Sequence, residues 1–205
     1  MRIHWRAAAS VALILAVASV AGGAMAQAGP KVRIDSGELV GAAKGDVVSF
    51  KGVPYAAAPV GALRWAPPKK HAPWTTPRAA DSYGAICPQK LKADGTPNEG
   101  GASGASSEDC LFLNVWAPKG ATKAPVMVWL HGGGNSAGAG SLGAYEGSAF
   151  VRDGVILVTL NYRLGPLGFF AHPALTKAAR PDEPLVAYGI MDQIAALQWV
   201  KRNIA

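Results

Sequence analysis

Apolar and polar positions alternate in short stretches over residues 31–53, which read KVRIDSGELVGAAKGDVVSFKGV. Alternation with a period of two, interrupted by glycine turns, predicts short strands paired as antiparallel hairpins at a sheet edge. The next segment, residues 54–78, is rich in proline, which predicts an extended, rigid surface segment without regular elements. Its aromatic residues, such as Tyr55 and Trp74, need a surface to pack on, so we place no domain boundary there.

From Leu111 onward the alternation gives way to near-continuous apolar runs. The stretches LFLNVWAP, APVMVWLHGGG and GVILVTLNYRLG predict three strands. The last two are near-continuous apolar runs, typical of strands buried on both faces of a sheet covered by helices. The segment YEGSAFVRDG, between the last two runs, predicts one short helix. The fold class is therefore predicted to be α/β, with antiparallel edge hairpins leading into parallel buried strands.

The last segment, YGIMDQIAALQWVKRNIA, has the spacing of an amphipathic helix. Apolar side chains recur three or four residues apart, at Ile190, Ile194, Leu197, Val200 and Ile204. This pattern predicts a helix that buries this stripe against the rest of the protein. We interpret Asp192, near its start, as a residue that caps the helix or hydrogen-bonds neighbouring backbone, rather than as a catalytic group.

The amino-terminal segment has the pattern of a secretory signal peptide. Residues 1–26 begin with Arg2 and Arg6, continue as the apolar stretch AAASVALILAVASVAGG and end in the small residues AMA. We expect cleavage after Ala26, or alternatively after Ala28, so that the mature chain starts at residue 27 and residues 27–205 belong to a single domain. An uncleaved membrane anchor is a further alternative, although the stretch is short for a membrane span. The sequence therefore predicts a periplasmic or secreted protein without stable membrane insertion after signal cleavage.

Composition and charge restrict the classes of function. Hydrophobic residues make up 50% of the chain and charged residues 16%, which is typical of a globular domain. The formal net charge is +7, but the basic residues are scattered, so we do not expect nucleic-acid binding. No residues have metal-ligand spacing, and no P-loop or dinucleotide motif is present, so we expect neither a metal nor a cofactor. The oligomeric state stays open.

Two cysteines, Cys87 and Cys110, flank a polar segment rich in glycine and serine, which predicts a surface loop. In an exported protein they can form a disulfide, and closing this loop would contribute about 3.5 kcal/mol on a chain-entropy estimate. Two free thiols are the alternative at this point.

The stretch HGGGNSAGAG, residues 131–140, contains two candidate catalytic features. Gly134 to Gly138 fit the pattern G-x-S-x-G, in which Ser136 would be a nucleophile on a strand-to-helix turn. The glycines after Ser136 disfavour a helix, and the order of the remaining residues fits a catalytic triad poorly. A buried strand ending in His-Gly-Gly-Gly instead favours backbone N–H groups that stabilise an oxyanion, with His131 orienting the loop through hydrogen bonds.

Five stretches of the chain resemble the type-B carboxylesterases, the cholinesterase-like branch of the α/β-hydrolases. In chain order they read FKGVPYAAAPVGALRWAPP, SEDCLFLNVWAP, PVMVWLHGGGNSAGAGS, VILVTLNYRLGPLGFF and YGIMDQIAALQWVKRNIA. The resemblance implies the N-terminal part of an α/β-hydrolase sheet. It also implies hydrolysis of small carboxylic esters through an acyl-enzyme formed on a serine, without metal or cofactor. It implies further that Cys87 pairs with Cys110 and that Gly133 and Gly134 carry the oxyanion donors.

The resemblance also implies where the catalytic triad lies. In this family the serine elbow follows the segment that ends in WVKRNIA, so we expect the triad serine, acid and histidine beyond Ala205. The chain would then be truncated before the nucleophile elbow and inactive alone. A catalytically dead, cholinesterase-like binding module is the alternative function.

Other residues in these stretches carry further expectations. Asn135 departs from the family, whose members usually have an aromatic residue there, and this leaves the preferred ester open. Carboxylates next to Cys110 and arginines in the other matching stretches are expected to form ion pairs that organise loops. These residues are Glu108, Asp109, Arg64 and Arg163.

Overall fold

The computed structural model describes residues 29–179 and 187–204, so the predicted signal peptide, residues 1–26, lies outside the described residues. The described chain is a mixed α/β structure with two sheets. Its strands are β1 Lys31–Ile34, β2 Gly37–Val40, β3 Ala42–Lys44, β4 Val47–Pro54, β5 Arg78–Ala79, β6 Phe112–Pro118, β7 Val126–Leu130 and β8 Ile156–Leu160. Its helices are α1 Ser148–Arg152, α2 Gly165–Phe169, α3 Pro173–Ala178 and α4 Tyr188–Asn203.

The predicted antiparallel hairpins are confirmed, because β1 pairs with β2 and β3 pairs with β4. The first hairpin joins β5 in a separate sheet of three strands, in the order β1-β2-β5. The second hairpin enters a larger sheet of order β3-β4-β6-β8-β7, in which β4 is antiparallel to β6. The larger sheet therefore begins antiparallel and ends with the parallel pair of β7 and β8.

The two central strands of the larger sheet form the core of the protein. Leu113 of β6 and both Val158 and Leu160 of β8 have no exposed surface. In contrast, β7 lies at the sheet edge, and Met127 and Trp129 on it are each 42% exposed. The prediction that both apolar strands are buried on both faces is therefore confirmed for β8 and wrong for β7, which has a neighbouring strand on one side only among the described residues.

Between the end of β4 at Pro54 and the start of β5 at Arg78, the proline-rich segment contains one regular element, a 3₁₀ turn at Gly61–Leu63, and is otherwise irregular as its sequence predicts. Its aromatic residues attach it to the sheets. The buried Tyr55 donates its hydroxyl to the Asn161 carbonyl oxygen at 2.6 Å, and the Trp74 indole donates to the Glu38 carbonyl oxygen at 2.9 Å. The segment is therefore held to both sheets at fixed points.

Helix α4 is present where the sequence predicts it, but the predicted buried stripe is only partly right, because Val200 is buried and Ile204 packs against the core while the other three residues are exposed. Ile190, Ile194 and Leu197 are 42%, 49% and 45% exposed. The buried residues of the helix are Tyr188, Gly189, Asp192, Ala196, Trp199 and Val200. At 3.6 residues per turn the exposed stripe lies roughly opposite this buried face. The physical reason is a close approach to Arg163: a Cβ on Gly189 would fall within 2.5 Å of the Arg163 carbonyl oxygen.

The disulfide implied by the family resemblance is present. Cys87 and Cys110 are bonded, both are buried, and their Cα atoms are 5.0 Å apart. Ile86 and Ser106, next to the two ends of the enclosed segment, also form an isolated parallel β-bridge. The loop is therefore closed both covalently and by backbone pairing.

Replacing both cysteines by alanine, Cys87→Ala with Cys110→Ala, is expected to lower the free energy of unfolding by about 3.5 kcal/mol. The expected cause is that the unfolded chain regains the loop freedom that the bond removes. Urea unfolding of the protein expressed from its whole reading frame measures the loss. Wild-type protein unfolded under reducing conditions is the control and should show the same shift, while an unchanged midpoint in both would contradict the prediction.

Candidate active site

The glycine loop, which we define as residues 131–140, begins directly after β7 and turns back on itself. The Gly133 carbonyl oxygen accepts hydrogen bonds from the N–H groups of Ser136 and Ala137, both at 3.1 Å. Gly133 and Gly134 have φ angles of 120° and 59°, which favour glycine. A Cβ on Gly133 would also overlap the Ala137 carbonyl oxygen. The turn therefore requires glycine at position 133.

This turn leaves two backbone donors available. The residues that the structure describes provide no hydrogen-bond acceptor for the N–H groups of Gly133 and Gly134. Both residues are exposed and follow the carboxyl end of a strand in the parallel pair of β7 and β8. Two adjacent N–H groups in a fixed loop can stabilise negative charge on a substrate oxygen.

Asn135 is compatible with the backbone of the loop. Its φ of 58° lies in the left-handed region, which asparagine adopts more readily than most residues. Its carbonyl oxygen accepts a hydrogen bond from the Gly165 N–H at 2.7 Å, which ties the glycine loop to the start of α2. The departure from the aromatic residue expected at this position therefore suits the local conformation.

Ser136 lies in the exposed turn of the glycine loop, and the next regular element is a 3₁₀ turn at Gly143–Tyr145 rather than a helix. Its hydroxyl donates to the Gly133 carbonyl oxygen at 3.1 Å. Within residues 29–179 and 187–204, no imidazole hydrogen-bonds this hydroxyl; the His131 and His172 rings bond backbone groups instead. The geometry of a serine activated by a neighbouring base is not formed here.

His131 connects the end of β7 to the core. Its ring stacks on Tyr162 with centroids 4.4 Å apart, and its Nδ1 donates to the Gly132 carbonyl oxygen at 2.9 Å. The Tyr162 hydroxyl in turn donates to the His131 carbonyl oxygen at 2.8 Å. Burial lowers the pKa of His131, so the ring is neutral at neutral pH. The side chain therefore fixes the first residues of the glycine loop, as the sequence predicts.

A group of buried polar side chains holds the far end of the glycine loop. The Gly140 N–H donates to Asn161 Oδ1 at 2.8 Å, and the Gly140 carbonyl oxygen accepts from Thr159 Oγ1 at 2.6 Å. Asn114 Nδ2 donates to Thr159 Oγ1 at 3.0 Å. Sequence reasoning did not assign these roles, although polar residues inside apolar strands are a signal that could have shown them.

One of the expected ion pairs is confirmed. Both nitrogens Nε and Nη2 of Arg64 contact the Glu108 carboxylate, at 2.5 and 2.6 Å. Hydrogen bonding to this carboxylate raises the pKa of Arg64. The pair joins the proline-rich segment to the end of the loop that the disulfide closes, two residues before Cys110.

Arg163 pairs with Asp192 of α4, and not with Glu108 or Asp109. Its Nε and Nη2 each lie 2.8 Å from an Asp192 oxygen, and its backbone N–H donates to Asp192 Oδ2 at 3.0 Å. The side chains of Arg163 and Asp192 are only 2% and 0% exposed. Burial raises the pKa of Asp192, and the guanidinium opposes this rise. The prediction that Asp192 caps its helix is therefore wrong, because α4 begins four residues earlier, at Tyr188, whereas the predicted bond to backbone is made with the Arg163 N–H.

Residues 29–179 and 187–204 contain no group of three or more His, Cys, Asp or Glu side chains placed to hold a metal ion. No helix within the same residues combines the length and apolarity that a membrane span needs.

Comparison with known proteins gives consistent results. The model of the carboxylesterase family matches residues 28–205. The chain is 44% identical over 177 residues to the fumonisin B1 esterase of Sphingopyxis macrogoltabida, covering 84% of the chain and 32% of that protein. It is 43% identical over 176 residues to the para-nitrobenzyl esterase of Bacillus subtilis, covering 82% of the chain and 34% of that protein.

A solved structure of PNB esterase superimposes on 85% of the chain and 35% of its own length, with a TM-score of 0.75 and 39% identity. The described residues thus adopt part of the fold of that esterase, and the chain spans about a third of the length of the curated relatives it matches. Because the family model matches every residue from 28 to 205, the chain belongs to the carboxylesterase family.

Proposed function

We propose that the protein containing this chain hydrolyses small-molecule carboxylic esters through an acyl-enzyme formed on a serine. In this proposal the N–H groups of Gly133 and Gly134 donate hydrogen bonds to the substrate carbonyl oxygen as it becomes an oxyanion. The observation that supports it most is the pair of N–H groups in a fixed glycine loop at the end of β7, for which the described residues offer no acceptor. Family membership supports the class of reaction.

The glycine loop would stabilise the transition state because its N–H donors are already in position before the substrate binds. Its ends are fixed by His131 and Gly140, and its turn is closed by bonds to the Gly133 carbonyl oxygen. Donors held in this way lose little freedom when charge develops, so they stabilise the transition state more than the ground state. Neither metal nor cofactor takes part in the proposed reaction.

We further propose that the nucleophile, its base and the acid come from residues outside this chain. Two observations support this. The Ser136 hydroxyl bonds a backbone carbonyl rather than a histidine, and the matched relatives are about three times as long as the aligned region. The chain would supply the oxyanion loop and be inactive without the remaining groups.

We also propose that the protein is exported to the periplasm or secreted, with residues 1–26 as a signal peptide and the mature domain starting at residue 27. The Cys87–Cys110 disulfide supports this proposal, because such bonds persist in oxidising compartments. The charge and apolar pattern of residues 1–26 supports it as well.

Substitution in the glycine loop tests the proposed reaction. In the protein expressed from its whole reading frame, Gly133→Ala is expected to lower kcat for a p-nitrophenyl ester by about 10²-fold or more. The added Cβ would overlap the Ala137 carbonyl oxygen, so the backbone at position 133 must rotate and its N–H turns away from the substrate. The rate is measured per active site, with sites counted by a reactive organophosphate.

Gly132→Ala is the matched control. Gly132 has no positive φ, and a Cβ there would meet no atom within 4 Å, so kcat should stay near that of the wild type. Full turnover in Gly133→Ala, or an equal loss in both variants, would contradict the assignment of the oxyanion donors.

A further inference from the structure

The side-chain amide of Gln89 makes a two-way connection to the glycine loop. Gly138 N–H donates to Gln89 Oε1 at 2.8 Å, and Gln89 Nε2 donates back to the Gly138 carbonyl oxygen at 2.8 Å. The amide thus pairs with Gly138 as a neighbouring strand would. The two residues are 49 positions apart in the chain, so this contact depends entirely on the tertiary structure.

The Gln89 amide is also oriented by hydrogen bonds within the disulfide loop, which we define as residues 87–110. Gln89 Nε2 also donates to the Cys87 carbonyl oxygen at 3.1 Å, and Asn98 Nδ2 donates to Gln89 Oε1 at 2.9 Å. Both N–H groups and both acceptor positions of the amide are therefore occupied. Cys87 is fixed in turn by its bond to Cys110, so Gln89 is held before it meets Gly138.

Gly138, near the end of the glycine loop, packs against the first residues of the same loop. A Cβ on Gly138 would overlap the His131 ring and approach the Gly132 carbonyl oxygen within 2.6 Å. The preceding residue, Ala137, donates its N–H to the Gly133 carbonyl oxygen, and its own carbonyl oxygen packs against Gly133. A displacement of Gly138 would therefore move Ala137 and, through it, the peptide at position 133.

We propose that Gln89 is a positioning residue for the oxyanion loop, which it holds through Gly138. This inference rests on the proposed ester hydrolysis. Gln89 does not touch the substrate; it fixes the backbone that carries the Gly133 N–H. The effect of losing it should therefore fall on turnover, because misplacing a transition-state donor by a fraction of an ångström leaves substrate binding largely intact.

The test is Gln89→Met in the protein expressed from its whole reading frame. Methionine has nearly the same length but offers neither the N–H donors nor the amide oxygen. We expect kcat per organophosphate-titrated site to fall 10- to 100-fold with KM changed less than threefold. Gln89→Glu retains an acceptor for the Gly138 N–H but loses both donors, and it should also lower kcat with little change in KM.

Thr96→Ala is the matched control, because it removes a hydrogen bond to Asp94 within the same disulfide loop that does not reach the glycine loop. Its kcat should equal that of the wild type. If wild-type protein hydrolyses the ester and Gln89→Met retains its kcat, or loses active sites without losing turnover per site, only the positioning role is overturned. If the wild type hydrolyses no ester and binds no organophosphate, the proposed function fails and the role of Gln89 fails with it.

Discussion

Asp192→Ala is expected to lower the free energy of unfolding by about 3–5 kcal/mol, because it leaves a buried guanidinium without its counter-ion. The Arg163 side chain is 2% exposed and makes two bonds to the carboxylate. The substitution also removes the acceptor of the Arg163 backbone N–H. Since Asp192 joins α4 to the segment after β8, we expect the helix to lose its fixed position on the sheet. Urea unfolding of the protein expressed from its whole reading frame measures the effect.

Glu108→Gln is the matched control, because it removes the carboxylate of another arginine–carboxylate ion pair, which is partly exposed. Arg64 and Glu108 have side chains that are 42% and 27% exposed, so water replaces part of the lost interaction and the destabilisation should be much smaller. A double variant, Arg163→Met with Asp192→Leu, should regain part of the loss because no unpaired charge stays buried. Wild-type stability in Asp192→Ala would show that the pair does not hold α4.

The strands were predictable because their signal is local. Alternation over residues 31–53 and apolar runs after Leu111 correspond to β1–β4, β6, β7 and β8. The period of two and the continuous run each follow from which strand faces are buried. The short helix α1 was also predicted, whereas α2 and α3 were not.

The buried face of α4 could not be predicted from periodicity. The helix has apolar side chains on two sides. The hydrophobic pattern selected a stripe of which Val200 and Ile204 lie against the core, while Ile190, Ile194 and Leu197 are exposed. The opposite side is buried because Asp192 meets Arg163 there and Gly189 allows close packing. A charged residue at the centre of a buried face is costly without its partner, and the partner is 29 residues away in the chain.

The candidate site also has one part that the sequence predicts and one part that it does not. The glycine loop and its proposed donors could be found from sequence, because consecutive glycines after a strand indicate a sharp turn and a backbone that other groups can approach closely. The side chains that hold this loop, among them Gln89 and Asn161, bond backbone groups 49 and 21 residues away. Contacts between residues so far apart produce no periodic pattern in the sequence, so only the three-dimensional structure identifies them.

The 205-residue chain, when produced alone, is expected to self-associate and to hydrolyse no ester. Two surfaces carry large apolar side chains in contact with water. On the edge strand β7, Val126, Met127, Trp129 and Leu130 are 38–42% exposed, and on α4 the stripe of Ile190, Ile194 and Leu197 is 42–49% exposed. An exposed, apolar edge strand is a template for pairing with another chain, and contiguous apolar surface favours association.

Expression of residues 27–205 with export, followed by size-exclusion chromatography and light scattering, tests this expectation. Burying one side chain of this size completely is worth about 1.5–3 kcal/mol, so several half-exposed ones provide a sufficient driving force for association. A variant with Ile190→Lys, Ile194→Glu and Leu197→Gln removes one of the two surfaces without touching the buried face of α4 and should shift the protein towards smaller species. Monomeric wild-type chain with a cooperative thermal transition would contradict the expectation, and it would mean that β7 and α4 tolerate their exposed apolar surfaces.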